Sequence, residues 1–317
     1  MTQGAGLLNL ADERGVLRAS ILATLLISAL GIGFGLAAGS FSIVFDGVYL
    51  LVDASMSMLA LVVVNLIMSH AVSKDLPDRM RQRFSMGFWH LEPMVLLLNG
   101  TLLIGVAVYA LVNAIDSLLN GGRDLQFGWA IIYAVATVTV CAAIAFLEAR
   151  ANRKIGSDFV RLDVKGWIMS TCITAALLVA FSIGYAVQGT PWQWVSPYID
   201  PAVLAVVCVL IIPLPVATLR RALGDVLLLA PDDLRQHVDA VASAFVERHG
   251  FRSYRAYAAR VGRSKIIELY FIVPVTMPTK AIGEWDALRD EVGTAIGAAD
   301  PHRWLTVVFT ADLAWAD

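Results

Sequence analysis

The stretch SFSIVFDGVYLLVDASMSMLALVVVNL, residues 40–66, is apolar apart from two aspartates, one asparagine and a few hydroxyl groups. A helix needs about 20 apolar residues to cross a bilayer core of about 30 Å, so this stretch predicts a membrane-spanning helix. Its aspartates, Asp46 and Asp53, are unusual there, since a charged group at mid-bilayer costs about 2.5–3.5 kcal/mol even on lenient scales. The stretch therefore indicates both the class of fold and the place to look for function.

Five further apolar blocks surround this one. Hydrophobic residues make up 58% of the 317 positions and charged residues only 16%. An average soluble domain is about half apolar and about a quarter charged. We therefore predict an α-helical membrane protein with six transmembrane helices. The blocks lie at about 17–39, 42–69, 91–115, 127–148, 166–188 and 198–219.

The Lys and Arg residues between the blocks predict the orientation. Thirteen lie on one side and Arg123 alone on the other. Because positive residues favour the cytoplasmic side, we expect a multi-pass protein of the inner membrane with both termini in the cytosol. The N-terminal segment, 1–16, is acidic and has no cleavage site, which argues against a removable signal peptide. The thirteen are Arg14, Arg18, Lys74, Arg79, Arg81, Arg83, Arg150, Arg153, Lys154, Arg161, Lys165, Arg220 and Arg221.

A small α+β domain is predicted at 223–317, after a transmembrane domain at 17–222. Asp232 can cap a helix that Gly250 closes. The pattern then predicts strands and a second helix in the order αββαβ, a three-stranded sheet with both helices on one face. The helices leave the other face of the sheet uncovered. A second copy of the chain could cover it, which favours a homodimer. The expected later elements are strands at 253–261 and 265–274, a helix at 280–298 and a strand at 304–310.

Asp46, Tyr49 and Asp53 form a polar stripe in the second block. The two aspartates are seven residues apart, which is two helical turns, and Tyr49 lies between them on the same face. Two carboxylates and a phenol facing the interior of a helix bundle would form a cation site. In the alternative interpretation, Asp46 lies at the outer water interface and Asp53 caps or pairs locally.

Other polar residues allow two interpretations each. Ser170 and Thr174 share a face of the fifth block and could complete a site opposite Asp53, or they could bond back to their own helix carbonyls. Glu92 is either the acid expected in a first helical turn or part of a cytosolic opening. The five histidines lack zinc-ligand spacing and the three cysteines lack a CxxC pair, so neither a zinc cluster nor a disulfide framework is indicated.

Taken together, these features resemble the cation diffusion facilitator family of metal-ion/proton antiporters over nearly the whole chain. The resemblance is carried by the six-helix layout, the stretch quoted above, RQRFSMGFWHLEP at 81–93, Asp200-Pro201 and LTVVFTAD at 305–312. It implies a dimer with a ferredoxin-like cytosolic domain. It also implies that each protomer moves zinc, iron, manganese, cobalt or cadmium outward against protons.

The resemblance also implies a set of metal ligands, which this chain carries in part. The family pairs a His or Asp with an Asp four residues later in the second span, and repeats the pair in the fifth. The matching positions are Tyr49 and Asp53, then Gly166 and Ser170. Of these four, only Asp53 is a usual ligand.

Two further ligand sets of the family are also incomplete in this chain. The loop before the third span often carries histidines, and the matching residues are Gln82 and Met86. In the C-terminal domain the matching residues are Tyr270, Thr310 and Asp312, which leaves mainly Asp312 as a metal ligand.

Two hypotheses about function follow. In the first, Asp46, Tyr49, Asp53 and Ser170 form an oxygen-rich site through which a divalent cation leaves the cell in exchange for protons. Oxygen ligands suit Mn²⁺, Fe²⁺ or Mg²⁺, while Zn²⁺ and Co²⁺ stay open as substrates. Proton exchange would run through Asp53, because protonation and metal ligation compete for the same oxygens. In the second, a non-transporting homologue acts as a dimeric scaffold, sensor or partner subunit.

Other classes of function find little support. A net charge of −2 gives no sign of a nucleic-acid partner. The sequence shows no nucleophile with a base, no phosphate-binding glycine loop and no cofactor motif, so we predict neither an enzyme nor a bound cofactor. The expected partners are the lipid bilayer, divalent cations, protons and a second copy of the chain.

Overall fold

The structure is a computed structural model that describes residues 13–72, 84, 87–155, 158–297, 300 and 302–316. Gln82 and Met86, two loop positions of the family's ligand pattern, lie outside these ranges. By its internal contacts the chain divides into two compact units. The first contains the described residues up to Met58 together with Asn99–Ala217, and the second contains Leu59–Leu98 together with the described residues from Thr218 onward.

Six helices in the described residues are long and apolar enough to cross a membrane, which confirms the predicted multi-pass protein. Their apolar residues form blocks of the length that a bilayer core requires. The helices are α1 (Glu13–Ala38), α2 (Phe41–Val72), α3 (Leu91–Leu119), α4 (Phe127–Ile155), α5 (Asp158–Val187) and α6 (Ser196–Ile211).

Helix α6 differs from the apolar block predicted at 198–219. It follows a 3₁₀ turn at Gln193–Val195 and ends at Ile211. Pro213 and Pro215 follow within four residues of its end, and a proline lacks the amide hydrogen that would continue the helical hydrogen bonds. The rest of the block forms a separate short helix, α7 (Val216–Val226).

Asp200 of α6 closes the turn between α1 and α2. Its carboxylate accepts hydrogen bonds from the Ser40 hydroxyl (2.6 Å) and the Phe41 amide (3.0 Å). The Ser40 hydroxyl oxygen accepts in turn from the Ile43 amide (3.2 Å). These contacts satisfy amides that the first turn of a helix leaves free. Asp200, 1% exposed, therefore fixes where α2 begins.

Two glycines bring α1 and α2 into close contact. A Cβ atom on Gly35 would lie 2.6 Å from the Val44 nitrogen, and one on Gly47 would lie 2.8 Å from the Ile32 nitrogen. Small residues at such positions let helix backbones approach closely in membranes. The contact fixes the rotation of α2, and therefore the direction in which its polar stripe points.

The C-terminal domain has the predicted αββαβ order. It consists of α8 (Asp232–His249), β1 (Ser253–Val261), β2 (Ser264–Ile272), α9 (Ile282–Ile296) and β3 (Arg303–Thr310), followed by a 3₁₀ turn at Leu313–Trp315. The sheet order is β1-β2-β3, with β1 antiparallel and β3 parallel to β2. Gly250 ends α8 in the left-handed conformation, as predicted. Asp232 is the first residue of α8, and Pro231 occupies the capping position.

Both helices of this domain cover one face of the sheet. Residues of α8 and α9 share one buried cluster with every second residue of β2, as strand geometry requires. On the other face, Tyr257 is 47% exposed and Trp304 is 39% exposed. The Tyr257 hydroxyl donates a hydrogen bond to the Ala316 carbonyl oxygen (2.7 Å). The buried members of the cluster are Leu234, Val238, Ala242, Phe245, Phe251, Ile267, Leu269, Phe271, Val273, Val292 and Ile296.

Within the second unit, the turn between β1 and β2 pairs with the start of α3. The Arg263 guanidinium donates to both carboxylate oxygens of Glu92, at 2.9 and 3.3 Å. A Cβ atom on Gly262 would lie 2.8 Å from a Glu92 oxygen, so the turn fits closely against this carboxylate. Glu92 lies in the first turn of its helix, as one of the two interpretations expected, and it also anchors the β1–β2 turn.

Candidate metal site

A cavity of about 130 Å³ lies inside the first unit, bounded by α1, α2, α5 and α6. The predicted stripe of Asp46, Tyr49 and Asp53 lines its wall. Most of the remaining wall is apolar, with side chains such as Phe45 and Leu204. Polar groups that converge in an otherwise apolar cavity are typical of a ligand site.

Asp46 lies inside the bundle. Its side chain is 9% exposed, and its Oδ2 atom has no hydrogen-bond partner in the described part of the chain. A buried carboxylate oxygen without a donor is a candidate for contact with a cation, because it has no protein group to compensate the loss of water.

Tyr49 and Asp53 continue the wall along α2. The Tyr49 ring is half-buried and packs against the Phe45 ring, with the ring centroids 5.7 Å apart. Asp53 is more accessible than Asp46 and faces the cavity one helical turn beyond Tyr49. The phenol and the two carboxylates thus offer oxygen atoms at successive positions along the cavity wall.

Ser170 and Gly166 of α5 also line the cavity. The Ser170 hydroxyl lies 3.8 Å from the Cys141 sulfur. Thr174 is buried, and its hydroxyl donates to the Ser170 carbonyl oxygen (3.0 Å), which agrees with the back-bonding alternative for this residue. Gly166 has no side chain to offer a metal, so of these residues Ser170 is the one with a side-chain oxygen on the cavity wall.

The structure adds a carboxylate to the site that the sequence analysis missed. Asp163 lines the same cavity, and its charge is close enough to interact with that of Asp53. It escaped notice because the fifth apolar block was taken to begin at residue 166, whereas α5 begins at Asp158. A signal was present: Asp163 precedes Ser170 by seven residues, the same spacing that separates Asp46 from Asp53.

A match to a family model identifies the family of this protein. Residues 17–227 match the cation efflux transmembrane domain, more than half of the 317 residues. The chain belongs to the cation efflux, or cation diffusion facilitator, family. Among curated proteins, none matches it. The family assignment makes the chain a multi-pass membrane protein that transports cations.

The ligand positions of the cation efflux family in the C-terminal domain have local partners. The Asp312 carboxylate accepts a hydrogen bond from the Ala314 amide (3.0 Å) and so caps the last 3₁₀ turn. The Tyr270 hydroxyl donates to Glu268 (3.4 Å), and the Thr310 hydroxyl donates to the Asp312 carbonyl oxygen (3.1 Å). Asp312 is exposed and far in sequence from the cavity residues.

In the residues that the structure describes, no three His, Cys, Asp or Glu side chains come together as a metal-binding group. The candidate site of this cation efflux protein therefore relies on carboxylates at successive depths, supplemented by hydroxyl oxygens. Oxygen donors of this kind suit hard divalent cations, whereas thiolates and imidazoles suit softer ones.

Proposed function

We propose that the protein exports a divalent metal cation through the cavity that contains Asp46, Tyr49, Asp53, Asp163 and Ser170. The observation that carries this proposal is the presence of three aspartates on the wall of one cavity in a six-helix membrane protein. Ionisable residues inside a membrane are costly and mark the path of an ion far more often than they serve packing.

The donor set favours a hard cation. Carboxylate and hydroxyl oxygens suit Mn²⁺, Fe²⁺ or Mg²⁺, and the same carboxylates can also hold Zn²⁺ or Co²⁺. Carboxylates that line one cavity complement a doubly charged ion better than a singly charged one, because the doubly charged ion leaves less excess negative charge in the low-dielectric interior.

Proton exchange would use the same carboxylates. A carboxylate must be deprotonated to bind a metal, so metal and protons compete for Asp53. Binding of the metal on the cytosolic side would release protons there, and protonation from the outside would release the metal. Alternation between the two sides would come from helices rocking around the cavity. Both termini would face the cytosol, in the inner membrane.

We further propose a homodimer with the uncovered face of the C-terminal sheet as its interface. That face carries the accessible rings of Tyr257 and Trp304. Exposed aromatic residues are enriched at protein interfaces. Asp312, at the end of the same domain, is the candidate ligand for a metal outside the membrane, although its carboxylate already caps a turn.

The first experiment is transport by the purified protein in liposomes. We expect entry of Mn²⁺ or Fe²⁺ under an imposed pH gradient, with Zn²⁺, Co²⁺ and Cd²⁺ tested beside them. Asp53→Ala should abolish the flux. Asp124→Asn, which changes an exposed loop carboxylate, should leave it unchanged.

One observation favours the second candidate function, a non-transporting scaffold, sensor or partner subunit. The usual histidines are missing, and no three ligand side chains converge among the described residues. Absence of flux for all five ions from correctly folded wild-type protein would contradict transport and leave this function. Flux that persists in Asp53→Ala would instead show that the transport site does not depend on Asp53.

A further inference from the structure

A second pair of carboxylates lies beside the cavity, between α4 and α5. Glu148 of α4 is 5% exposed and lies within hydrogen-bonding distance of Asp163. The Glu148 Oε2 and Asp163 Oδ2 atoms are both buried and have no hydrogen-bond partner among the described residues. Neither the second-span nor the fifth-span ligand pair includes a residue of α4.

Ser20 of α1 and Trp167 of α5 are the polar side chains that lie beside this pair. The Trp167 indole nitrogen donates to the Ser20 hydroxyl oxygen (2.8 Å), and the Ser20 hydroxyl reaches both carboxylates. Ser20 and Trp167 are each 4% exposed, so water cannot easily replace them. A serine hydroxyl has one hydrogen, so it can donate to only one of the two carboxylates at a time, and hydrogen-bonding capacity of the pair stays unused.

Among the side chains that the structure describes, no Lys, Arg or His forms an ion pair with Glu148 or Asp163. Buried apolar residues flank the pair along the three helices, so water provides little compensation. These residues are Val16, Ile27, Cys141, Ala145, Val160 and Val164.

We propose that Glu148 and Asp163 bind a divalent cation between them, so that Glu148 is a substrate-binding residue contributed by the fourth span. When both carboxylates are ionised, the pair carries two negative charges, which one divalent cation balances and one monovalent cation does not. Asp163 also lines the cavity that holds Asp53. The pair therefore forms a second binding position for the transported ion beside the cavity. This inference rests on the proposed transport function.

The test uses Mn²⁺ as the probe and the full-length protein in lipid nanodiscs. Binding is followed by electron paramagnetic resonance and by the rise in unfolding temperature that bound metal produces. Glu148→Gln keeps the side-chain shape and should weaken Mn²⁺ affinity about tenfold or more. Asp163→Asn should cause a similar loss. Asp124→Asn, in an exposed loop, should bind like the wild type.

The double variant distinguishes a shared site from two independent effects. If both carboxylates hold one ion, Glu148→Gln with Asp163→Asn should lose little more affinity than either change alone. Without metal, Glu148→Gln should unfold at a higher temperature than the wild type, because its amide can donate a hydrogen bond to Asp163, as an ionised carboxylate cannot. A purely structural Glu148 predicts the reverse, a lower unfolding temperature with unchanged Mn²⁺ affinity.

The outcomes separate this inference from the proposed function. Wild-type flux together with unchanged affinity and flux in Glu148→Gln would overturn the inference and leave transport standing. Mn²⁺ binding that depends on Glu148, without flux for any ion, would support the site and contradict transport. Absence of Mn²⁺ binding to the wild type would overturn the inference, whereas transport is decided separately by the flux assay with all five ions.

Discussion

The Asp46 side chain is 9% exposed, and its Oδ2 atom has no hydrogen-bond partner in the described part of the chain. Burying a polar group without a partner costs about 1–3 kcal/mol by mutational data. We therefore expect Asp46→Leu to raise the free energy of unfolding by about that amount and to abolish metal flux. Residues that destabilise the fold while serving function are common at active sites.

Asp200 provides the matched control for this prediction. It is also buried, but both of its carboxylate oxygens accept hydrogen bonds, from Ser40 and Phe41. Asp200→Leu should therefore lower the free energy of unfolding, by about 1–3 kcal/mol, because it leaves those donors unpaired. Thermal unfolding in detergent compares the two variants. A fall in stability of equal size for both would mean that Asp46 has a structural role.

At the scale of single residues, helical spacing predicted which residues line the cavity better than hydropathy did. Spacing placed Asp46, Tyr49 and Asp53 together, and they line one cavity. Hydropathy excluded Asp163 from the fifth span, because charged residues lower the average at the ends of a block. Glu148 was the last residue of the predicted fourth block, 127–148, where a charged residue is expected at the water interface and gave no sign of a site. Hydropathy therefore fails to predict the role of carboxylates that lie at the ends of membrane spans.

The packing of α1 against α2 depends on Gly35. A Cβ atom there would lie 2.6 Å from the Val44 nitrogen, which belongs to backbone that cannot turn aside. We expect Gly35→Ala to separate the two helices, to lower the unfolding temperature and to reduce transport, because α2 carries three residues of the proposed site. Losses of about 1–3 kcal/mol are typical of overpacked positions.

Gly33, two residues earlier on the same helix, is the control. A Cβ atom on Gly33 would have no neighbour within 4 Å. Gly33→Ala should therefore keep its stability or gain a little, since alanine has the higher helix propensity by about 1 kcal/mol. Equal losses in the two variants would show that flexibility of α1, and not close packing, is what the glycines provide.

The pairing of α8 with α9 predicts a weak dependence of stability on pH. Although its partial burial acts in the opposite direction, hydrogen bonds and charges from Arg248 and His249 lower the pKa of Glu291 below its usual value of 4.5. A carboxyl group with a lowered pKa stabilises the fold above its unfolded pKa, and this contribution disappears as the pH falls through the folded pKa.

We therefore expect Glu291→Gln to loosen α8 and α9 at pH 7 and to lose this effect as the pH falls through the lowered pKa of Glu291. The side chain is 35% exposed, so solvent screening limits the effect to about 0.5 kcal/mol. Amide hydrogen exchange of the two helices in the full-length protein measures it. Glu247→Gln, an exposed residue of α8, is the control. An effect that persists at low pH would mean that shape, not charge, makes the contribution.

At the scale of elements, periodicity predicted the C-terminal domain well. The expected strand at 253–261 has those limits in the structure, and the other strands and α9 differ by one or two residues. Apolar and polar residues alternate clearly there, because one sheet face is covered by helices and the other is not. The sixth span was overestimated because Pro213 and Pro215 lie within an apolar block, where hydropathy alone gives no boundary.

The pair Glu92–Arg263 connects an apolar spanning helix with the C-terminal sheet inside one compact unit. A double-mutant cycle of Glu92→Gln and Arg263→Gln should give a coupling of about 1 kcal/mol, since both side chains are about one quarter exposed and the contact is bidentate. Hydrogen exchange in the β1–β2 turn measures it. Additive effects of the two changes would show that the pair contributes nothing to holding the turn.

For the molecule as a whole, the uncovered face of the C-terminal sheet determines the expected oligomer. The Trp304 ring is 39% exposed on that face, although a large aromatic side chain normally contributes most when it is covered. If a second copy covers it, Trp304→Glu should convert a dimer into a monomer, because an interface cannot easily desolvate an unpaired charge. Ile282→Glu introduces the same charge at a residue that is 79% exposed at the start of α9, away from this face, and should leave the dimer intact. The mass of the protein in nanodiscs measures both variants. A dimer that survives Trp304→Glu would place the interface elsewhere, and a monomeric wild type would contradict the homodimer itself.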